Sequence, residues 1–391
     1  MVVRPAARPV SLYVINEAFF LLSHRSEILR AATARYATFV AAPEDHVWAP
    51  EGFTVAEVEH LGARYVPIRM SRRGQNPFGE FETLRSILRV FRQTKPDLVH
   101  LLTIKANLYG GLIARLTGIP AVVFGVTGLG QVFVARGMLA ALRRAAITLA
   151  LRFVFGHPRA RVIVQNTEDL RYLVEMQIVT PDKAVLIRGA GVDTDAFRST
   201  PEPDGAVTIV LASRLLWEKG VGTFVEAAKI LGGCSARTRF VVVGDTKASN
   251  PRSVPKETLE QWVNAGLIEW WGRRTDMPAV LAQAHVFCLP TAYGEGIPKV
   301  LLEAGASARP IVASDIAGCR EVVQPGVNGL LVPPNDPAQL AQALDFMISH
   351  GEERRQMGQA GRAIAEREFN VDTVVKTTLA LYDELLGASS Q

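Results

Sequence analysis

Cysteine is scarce in this 391-residue chain, with Cys234, Cys288 and Cys319 as its three representatives. They form no CxxC pair and show no metal-like spacing, which argues against a disulfide framework or a zinc site and leaves packed, reduced thiols as the expectation. Long apolar runs are missing as well. No stretch of ~18 uncharged apolar residues occurs, so no segment is expected to span a bilayer. Residues 1–10 carry Pro5 and Pro9 and lack the continuous apolar core of a secretory signal, so they read as a short cytoplasmic lead-in. No internal repeat of fixed period is visible. Acidic side chains are nearly absent from one region: between Leu61 and Arg161 only Glu80, Glu82 and Asp97 stand against 16 Lys and Arg, a local +13 in a chain whose net charge is +5. A patch of that kind attracts a polyanion, whether nucleic acid, anionic lipid headgroups or a diphosphate-bearing acceptor, or else is a solvated basic surface.

What is present points to a globular α/β protein. Hydrophobic residues make up 48% and charged ones 21%, and the length favours two domains with a cleft between them as the place for function. Short β-branched runs alternate with longer amphipathic segments, the signature of parallel βα units. Strands are expected at Val10–Ile15, Ala37–Ala41, Leu98–Leu102, Ala121–Phe124 and Arg161–Val164, then at Val207–Ala212, Arg239–Val243, Ile268–Trp270, Val286–Leu289, Ile311–Ala313 and Gly329–Val332. Helical periodicity marks Phe81–Gln93 and Pro337–Met347. The stretch GAGVDTDAFRSTPEPDGA, residues 189–206, reads as an interdomain linker. The expected organisation is therefore two doubly wound domains, 1–189 and 190–371. The final segment, 372–391, is expected to pack back on the first domain, because the apolar face of VVKTTLALYDELL must be buried somewhere.

Five segments carry candidate chemistry. In YGEGIPKVLLEAG (Tyr293–Gly305) a glycine loop leads into a helix expected to start near Ile297, where free backbone N–H groups and the positive helix end suit a phosphate. Glu295 before that start and Glu303 within the helix flank the anion site and suit hydroxyls, one on a sugar and one on a ribose. Taken alone, they also read as a capping and a surface residue. In ASRLLWEKG (Ala212–Gly220), Arg214 and Lys219 sit at a strand-to-helix turn and offset negative charge on a departing diphosphate, or are ordinary surface cations. VVVGD (Val241–Asp245) is another strand ending in glycine. HLLTIKANLYGG (His100–Gly111) and GVTGLGQVF (Gly125–Phe133) open on the crevice of the first domain, with Lys105 supplying a charge. The glycine spacing in GVTGLG is not a dinucleotide fingerprint, and a lone His100 reads as packed at least as readily as catalytic.

These motifs, taken in order, resemble the retaining GT-B glycosyltransferases of family 4. The likeness runs through FFLLSHR, PDLVH, KANLYGG, GLGQVF, RLLWEKG, VVGD, EGIPKVLLEA and GCREVV, and its core is the E-x7-E spacing of Glu295 and Glu303. Within that family the chain looks most like bacterial enzymes that add a sugar, often an N-acetylhexosamine, to an undecaprenyl-diphosphate-linked saccharide. The resemblance implies two Rossmann-like domains facing a central cleft. It implies a donor site of Arg214, Lys219, Gly244, Asp245, Glu295, Gly296, Ile297, Lys299 and Glu303, with Glu295, Lys105 and His100 as catalytic candidates. Acceptor-side candidates are Asn16, His24, Arg25, Gly128 and Gly130. NEAFF at Asn16–Phe20 replaces the glycine-rich loop of many relatives, and Leu102 stands where many carry a second histidine. The co-substrate is expected to be a UDP-type nucleotide sugar, with no metal or other cofactor. DTD at Asp193–Asp195 reads as turn chemistry.

Two other classes share some of these features: a nucleotide-sugar epimerase, and a non-enzymatic module binding RNA or anionic lipid. The aromatic residues of 61–161 are expected mostly at core-like positions, which disfavours nucleic acid as a partner. Met138–Phe155 (MLAALRRAAITLALRFVF) spaces Leu139, Leu142, Ala146, Leu149 and Phe153 on one stripe beside Arg143, Arg144 and Arg152. It reads either as a core helix or as a helix lying on an anionic membrane surface. The second reading implies a peripheral enzyme on the inner face of the cell membrane.

Overall fold

A computed structural model describes residues 8–44, 53–70, 76–128, 137–247, 250–292 and 296–387. The chain divides into two compact units, Met1–Ala190 with Thr373–Gln391, and Gly191–Asp372.

The strands of unit 1 are β1 (Val10–Ile15), β2 (Ala37–Ala42), β3 (Arg64–Pro67), β4 (Leu98–Leu102), β5 (Ala121–Val126), β6 (Ala160–Val164) and β7 (Ala184–Leu186). They form one sheet in the order β3-β2-β1-β4-β5-β6-β7, parallel at every pairing. The inner strands are apolar on both faces because helices cover both. On one face α1 (Ala18–Arg35) and α2 (Ala56–His60) bring Leu21, Ile28, Leu29 and Val58 onto Tyr13, Val40 and Val123. On the other, α3 (Pro77–Thr94), α4 (Ile104–Thr117), α5 (Met138–Phe155) and α6 (Thr167–Glu175) set Phe91, Ile113, Phe155 and Leu173 against Val99 and Phe124.

Unit 2 repeats the plan. Its strands β8 (Val207–Ala212), β9 (Thr238–Val243), β10 (Glu269–Trp270), β11 (Val286–Leu289), β12 (Ile311–Ser314) and β13 (Gly329–Val332) run parallel in the order β10-β9-β8-β11-β12-β13. Around them lie α7 (Val221–Ile230), α8 (Lys256–Asn264), α9 (Met277–Ala282), α10 (Lys299–Ala306), α11 (Ala317–Arg320), α12 (Pro337–Ser349) and α13 (Gly351–Glu368). In each sheet the strand order reverses once, at β1/β4 and at β8/β11. Loops leaving those neighbouring strands diverge to opposite faces and open a crevice beyond the carboxyl ends, the usual ligand position of such sheets.

The last helix, α14 (Val371–Gly387), belongs to unit 1 through most of its length. Val374, Leu379, Tyr382 and Leu385 fill the layer beside α1. Asp383 accepts hydrogen bonds from the Tyr36 hydroxyl at 2.7 Å and Arg35 at 3.0 Å, and Glu384 pairs with Arg161.

Several expectations are corrected. The edge strands β3 and β7 are present although the pattern did not mark them, because Arg64–Pro67 and Ala184–Leu186 are short and only half-buried. The expected linker, residues 189–206, contains the boundary between the units at Ala190 and Gly191, but most of it packs into unit 2. Val192 is buried, Phe197 packs on the core, and Glu202 takes a two-pronged ion pair from the buried Arg354 at 2.8 and 2.7 Å. Their glycine and proline content marks turns rather than looseness. Within that stretch Asp193 Oδ1 accepts from the backbone of Asp195 and Ala196, both at 2.9 Å, so DTD is a turn. The aromatic residues of 61–161 are not all in the core, since Phe78, Phe81 and Phe153 stand in solvent.

Candidate active site

In unit 2 the predicted donor residues follow β8 and β11, the two strands at the switch point, except Gly244 and Asp245, which follow β9. The turn after β8 is held rigidly. Its Lys219 N–H donates to Leu216 O at 2.9 Å, Trp217 N–H to Arg252 O at 3.0 Å, and the Arg252 guanidinium pairs with Glu218 at 3.0 Å. The Glu218 carbonyl receives the Thr291 hydroxyl at 3.1 Å and the Ala292 N–H at 2.9 Å, tying this turn to the loop after β11. Gly220 makes that approach possible. A Cβ there would stand 1.9 Å from Pro290 O, and its φ of +78° suits glycine.

Lys219 is buried, while Arg214 is exposed. Burial, reinforced by the nearby Arg214 charge, pushes the Lys219 ammonium down to about 7. A cation so destabilised gains more than a solvated one when a dianion arrives beside it.

α10 begins at Lys299, two residues later than expected. Pro298 is extended at ψ 117° and acts as the N-cap, its carbonyl accepting from Leu301 N–H at 3.1 Å. Gly296 and Ile297 form the buried bend before it. The first turn of such a helix directs N–H groups outward toward an anion. Glu303, one turn in, is buried. Burial raises its pKa, opposed by the Lys299 ammonium 3.3 Å away. Glu295 lies outside the described residues.

Gly244 closes β9 at φ +146°, where a Cβ would meet Ser213 O at 2.0 Å. Its N–H donates to Gly272 O at 2.8 Å and its carbonyl accepts from Trp270 Nε1 at 2.9 Å. Its N–H is thus spent on the fold. Asp245 is exposed, its Oδ1 accepting from Thr246 N–H at 2.8 Å.

In unit 1 Asn16 follows β1 and Lys105 opens α4 after β4, so both border that unit's switch point. Lys105 forms an ion pair with Glu80 of α3 at 3.0 Å and lies over the Tyr109 ring. His24 is half-buried, stacked on Phe20 with Nδ1 2.7 Å from the Ser23 hydroxyl. Gly128 follows β5 at φ +134°, and Gly130 lies outside the described residues.

Two candidates of unit 1 are buried. His100, 2% exposed, sits in mid-β4 rather than at its end, with Nδ1 2.5 Å from the Tyr382 hydroxyl and its pKa pushed down to about 3 by burial. α14 covers it, and its Nε2, also buried, has no hydrogen-bond partner among the described residues. Arg25 is buried at a kink of α1 and donates to Gly189 O at 2.9 Å, which braces the fold.

Thr103 was missed. It joins β4 to α4 at φ +84°, ψ 154°, a costly conformation for a β-branched residue, and its buried Oγ1 has no hydrogen-bond partner among the described residues. Asn107 braces the same turn, its Nδ2 donating to Gly125 O at 3.1 Å. Propensity carries no signal for strain of this kind.

Among the described residues no group of three or more His, Cys, Asp or Glu could hold a metal, and no helix is long and apolar enough to cross a membrane.

Comparison with known proteins agrees with this layout. Residues 24–190 match the glycosyl transferase 4-like domain, and residues 206–350 match glycosyl transferases group 1. The chain is 26% identical, over 89% of its own length and 91% of the other's, to N,N'-diacetylbacillosaminyl-diphospho-undecaprenol alpha-1,3-N-acetylgalactosaminyltransferase of Campylobacter jejuni. It is also 26% identical, over 68% of its length and 70% of the other's, to UDP-Gal:alpha-D-GlcNAc-diphosphoundecaprenol alpha-1,3-galactosyltransferase of Escherichia coli. The solved sucrose-phosphate synthase of Thermosynechococcus elongatus superposes with a TM-score of 0.78 at 18% identity, over 97% of this chain and 100% of that one. None of these supports an epimerase or a binding module. The chain belongs to the glycosyltransferases of GT-B fold, its first unit a glycosyl transferase 4-like domain and its second a glycosyl transferases group 1 domain.

Proposed function

We propose that this glycosyltransferase moves an N-acetylhexosamine or related hexose from a UDP-type nucleotide sugar to a saccharide on undecaprenyl diphosphate, with retention and without a metal. We place it on the anionic inner face of a bacterial membrane. The observation that carries the reading is the placement of the buried Lys219 after β8 and of the start of α10 after the neighbouring β11, in a chain two of whose relatives are named for undecaprenol-linked acceptors.

In this reading Arg214, Lys219 and the N–H groups near Gly296, Ile297 and Lys299 take the diphosphate. Glu295 holds hydroxyls of the donor sugar, and the buried Glu303 those of the ribose. The bond from the sugar C1 to the diphosphate oxygen breaks, and a bond to the acceptor oxygen forms on the same face. The acceptor proton passes to the leaving diphosphate, whose charge the cations offset without a divalent ion. His100 has no part in this.

The test incubates the protein with a panel of UDP-sugars and undecaprenyl-diphosphate monosaccharides and reads products by mass spectrometry. One added hexose unit per acceptor, with UDP released, is expected. Interconversion of the UDP-sugar in the absence of acceptor would overturn the reading.

A further inference from the structure

The basic region of unit 1 carries a feature that sugar transfer does not use. Met138, Leu139, Leu142, Leu149 and Phe153 of α5 are all exposed, the first two at 84% and 83%. The opposite side of the helix, Leu151, Val154 and Phe155, is buried in the sheet layer. The stripe that looked able to serve as core therefore faces water. It extends over the same helical layer, with Leu116 exposed on α4 and Phe78 and Phe81 exposed at the start of α3. In parallel βα units helices start near the carboxyl ends of the strands, so the first turns of α3 and α5 lie at the same edge of the sheet. α4 packs against both. Exposed large apolar residues of unit 2, such as Ile230 and Val263, lie on separate helices. An exposed apolar stripe of this kind, running from Met138 to Phe153 along α5, marks a docking site.

Charge identifies the occupant. Neither α4 nor α5 contains an acidic residue, and Glu80 and Glu82 at the start of α3 are paired with Lys105 and Arg69. Arg143 and Arg144 sit beside the stripe, and Arg115 lies over the Phe153 ring at 4.5 Å. Where α4 and α5 end, an open depression of about 430 Å³ is lined by Arg115, His157 and Arg159 among others. A second copy of the chain fits poorly, because a two-fold contact through this face would set Arg143 and Arg144 against their own counterparts. An acidic, apolar surface fits on both counts.

We infer that the exposed layer of α5, with α4 and the first turn of α3, docks on an anionic bilayer, the apolar stripe entering the headgroup region and the arginines meeting lipid phosphates. α5 lies along the surface at a length of ~27 Å for its 18 residues. The placement rests on the proposed lipid-linked acceptor only in explaining why the enzyme would need a membrane. The surface itself is argued from exposure and charge.

The experiment is co-sedimentation of the full chain with vesicles of phosphatidylcholine alone or mixed with phosphatidylglycerol, at low and high salt. The wild type is expected to bind the mixed vesicles and to weaken as salt rises. Arg143→Glu with Arg144→Glu should lower that binding at least about tenfold. Leu139→Ser with Leu142→Ser and Leu149→Ser should lower it at both salt concentrations, whereas Ile230→Ser with Val263→Ser should leave it unchanged. Sugar transfer to a water-soluble, short-chain lipid-diphosphate acceptor should match the wild type in all three variants. Absence of binding to mixed vesicles, or equal binding by the wild type and the α5 variants, overturns the docking surface. A dimer in solution that the serine variants abolish, without vesicle binding, assigns the face to a second copy and overturns it too. Loss of transfer to every acceptor by a wild type that still binds vesicles would defeat the proposed reaction and leave the surface standing.

Discussion

The hydroxyl of Tyr382, near the end of the chain, lies 2.5 Å from Nδ1 of His100 in the middle of β4, and 3.0 Å from the hydroxyl of Tyr13 in β1. All three side chains are buried, so α14 is fastened to the two central strands of unit 1 by a polar contact inside an apolar layer. Tyr382→Phe keeps the ring and removes the shared hydroxyl, leaving two buried polar groups with a partner fewer. It should cost about 1–3 kcal/mol, read as a lower Tm of unit 1 in calorimetry. An unchanged Tm would show that the contact contributes nothing.

Acid should weaken unit 1 through the same cluster. Burial lowers His100 from its ordinary value of 6.5 to about 3. The unfolded chain therefore binds a proton there at higher pH than the folded one, and stability falls as pH drops from about 6.5 toward 3. His157, also lowered by burial, acts in the same direction in unit 1, and His285 does so in unit 2. Denaturant midpoints taken across that window should show a shallower decline in His100→Asn than in the wild type; parallel curves would remove His100 as a contributor.

Donor binding should show the opposite dependence through Lys219. With its value near 7, the ammonium is charged at pH 6 and largely neutral by pH 8.5. Binding a diphosphate then requires proton uptake, and the Kd for UDP should rise with pH by up to about tenfold per unit above 7. Lys219→Met should bind UDP weakly with a flat profile over this range. Titration calorimetry in buffers of different ionisation enthalpy reads the proton directly, and zero uptake by the wild type at pH 8 contradicts the assignment.

Gly220→Ala should be among the most damaging single-carbon additions in unit 2. The new methyl would stand 1.9 Å from Pro290 O at φ +78°, where both partners are backbone. A left-handed backbone alone costs roughly 1–2 kcal/mol for an alanine. Gly232→Ala, also at positive φ but facing open space, should show only that smaller cost. Equal melting shifts in the two variants would mean that the turn after β8 relaxes freely away from the loop after β11.

Glu295→Ala should lose most sugar transfer while melting like the wild type, because the proposed role is contact with donor hydroxyls rather than support of the fold. Wild-type turnover in that variant removes Glu295 from the site.

The sequence by itself determined the fold class, most strand positions and the order of the donor motifs. Strands buried on both faces must be short β-branched runs, and turns that bring backbone this close, as at Gly220 and Gly244, admit little but glycine. It also placed the apolar stripe of α5, since a spacing of three and four residues is written in the chain. Only the tertiary structure decided which way that stripe faces. Burial depends on what packs against a helix, and here Leu151, Val154 and Phe155 take the inner side and leave Leu139 and Leu142 outside. The same holds for His100 and Arg25, polar residues whose roles changed once Tyr382 and Gly189, distant in sequence, were seen to take their hydrogen bonds. Thr103 shows the limit most plainly, because a strained backbone is imposed by the strands and helix around it and runs against every local preference of the residue that bears it.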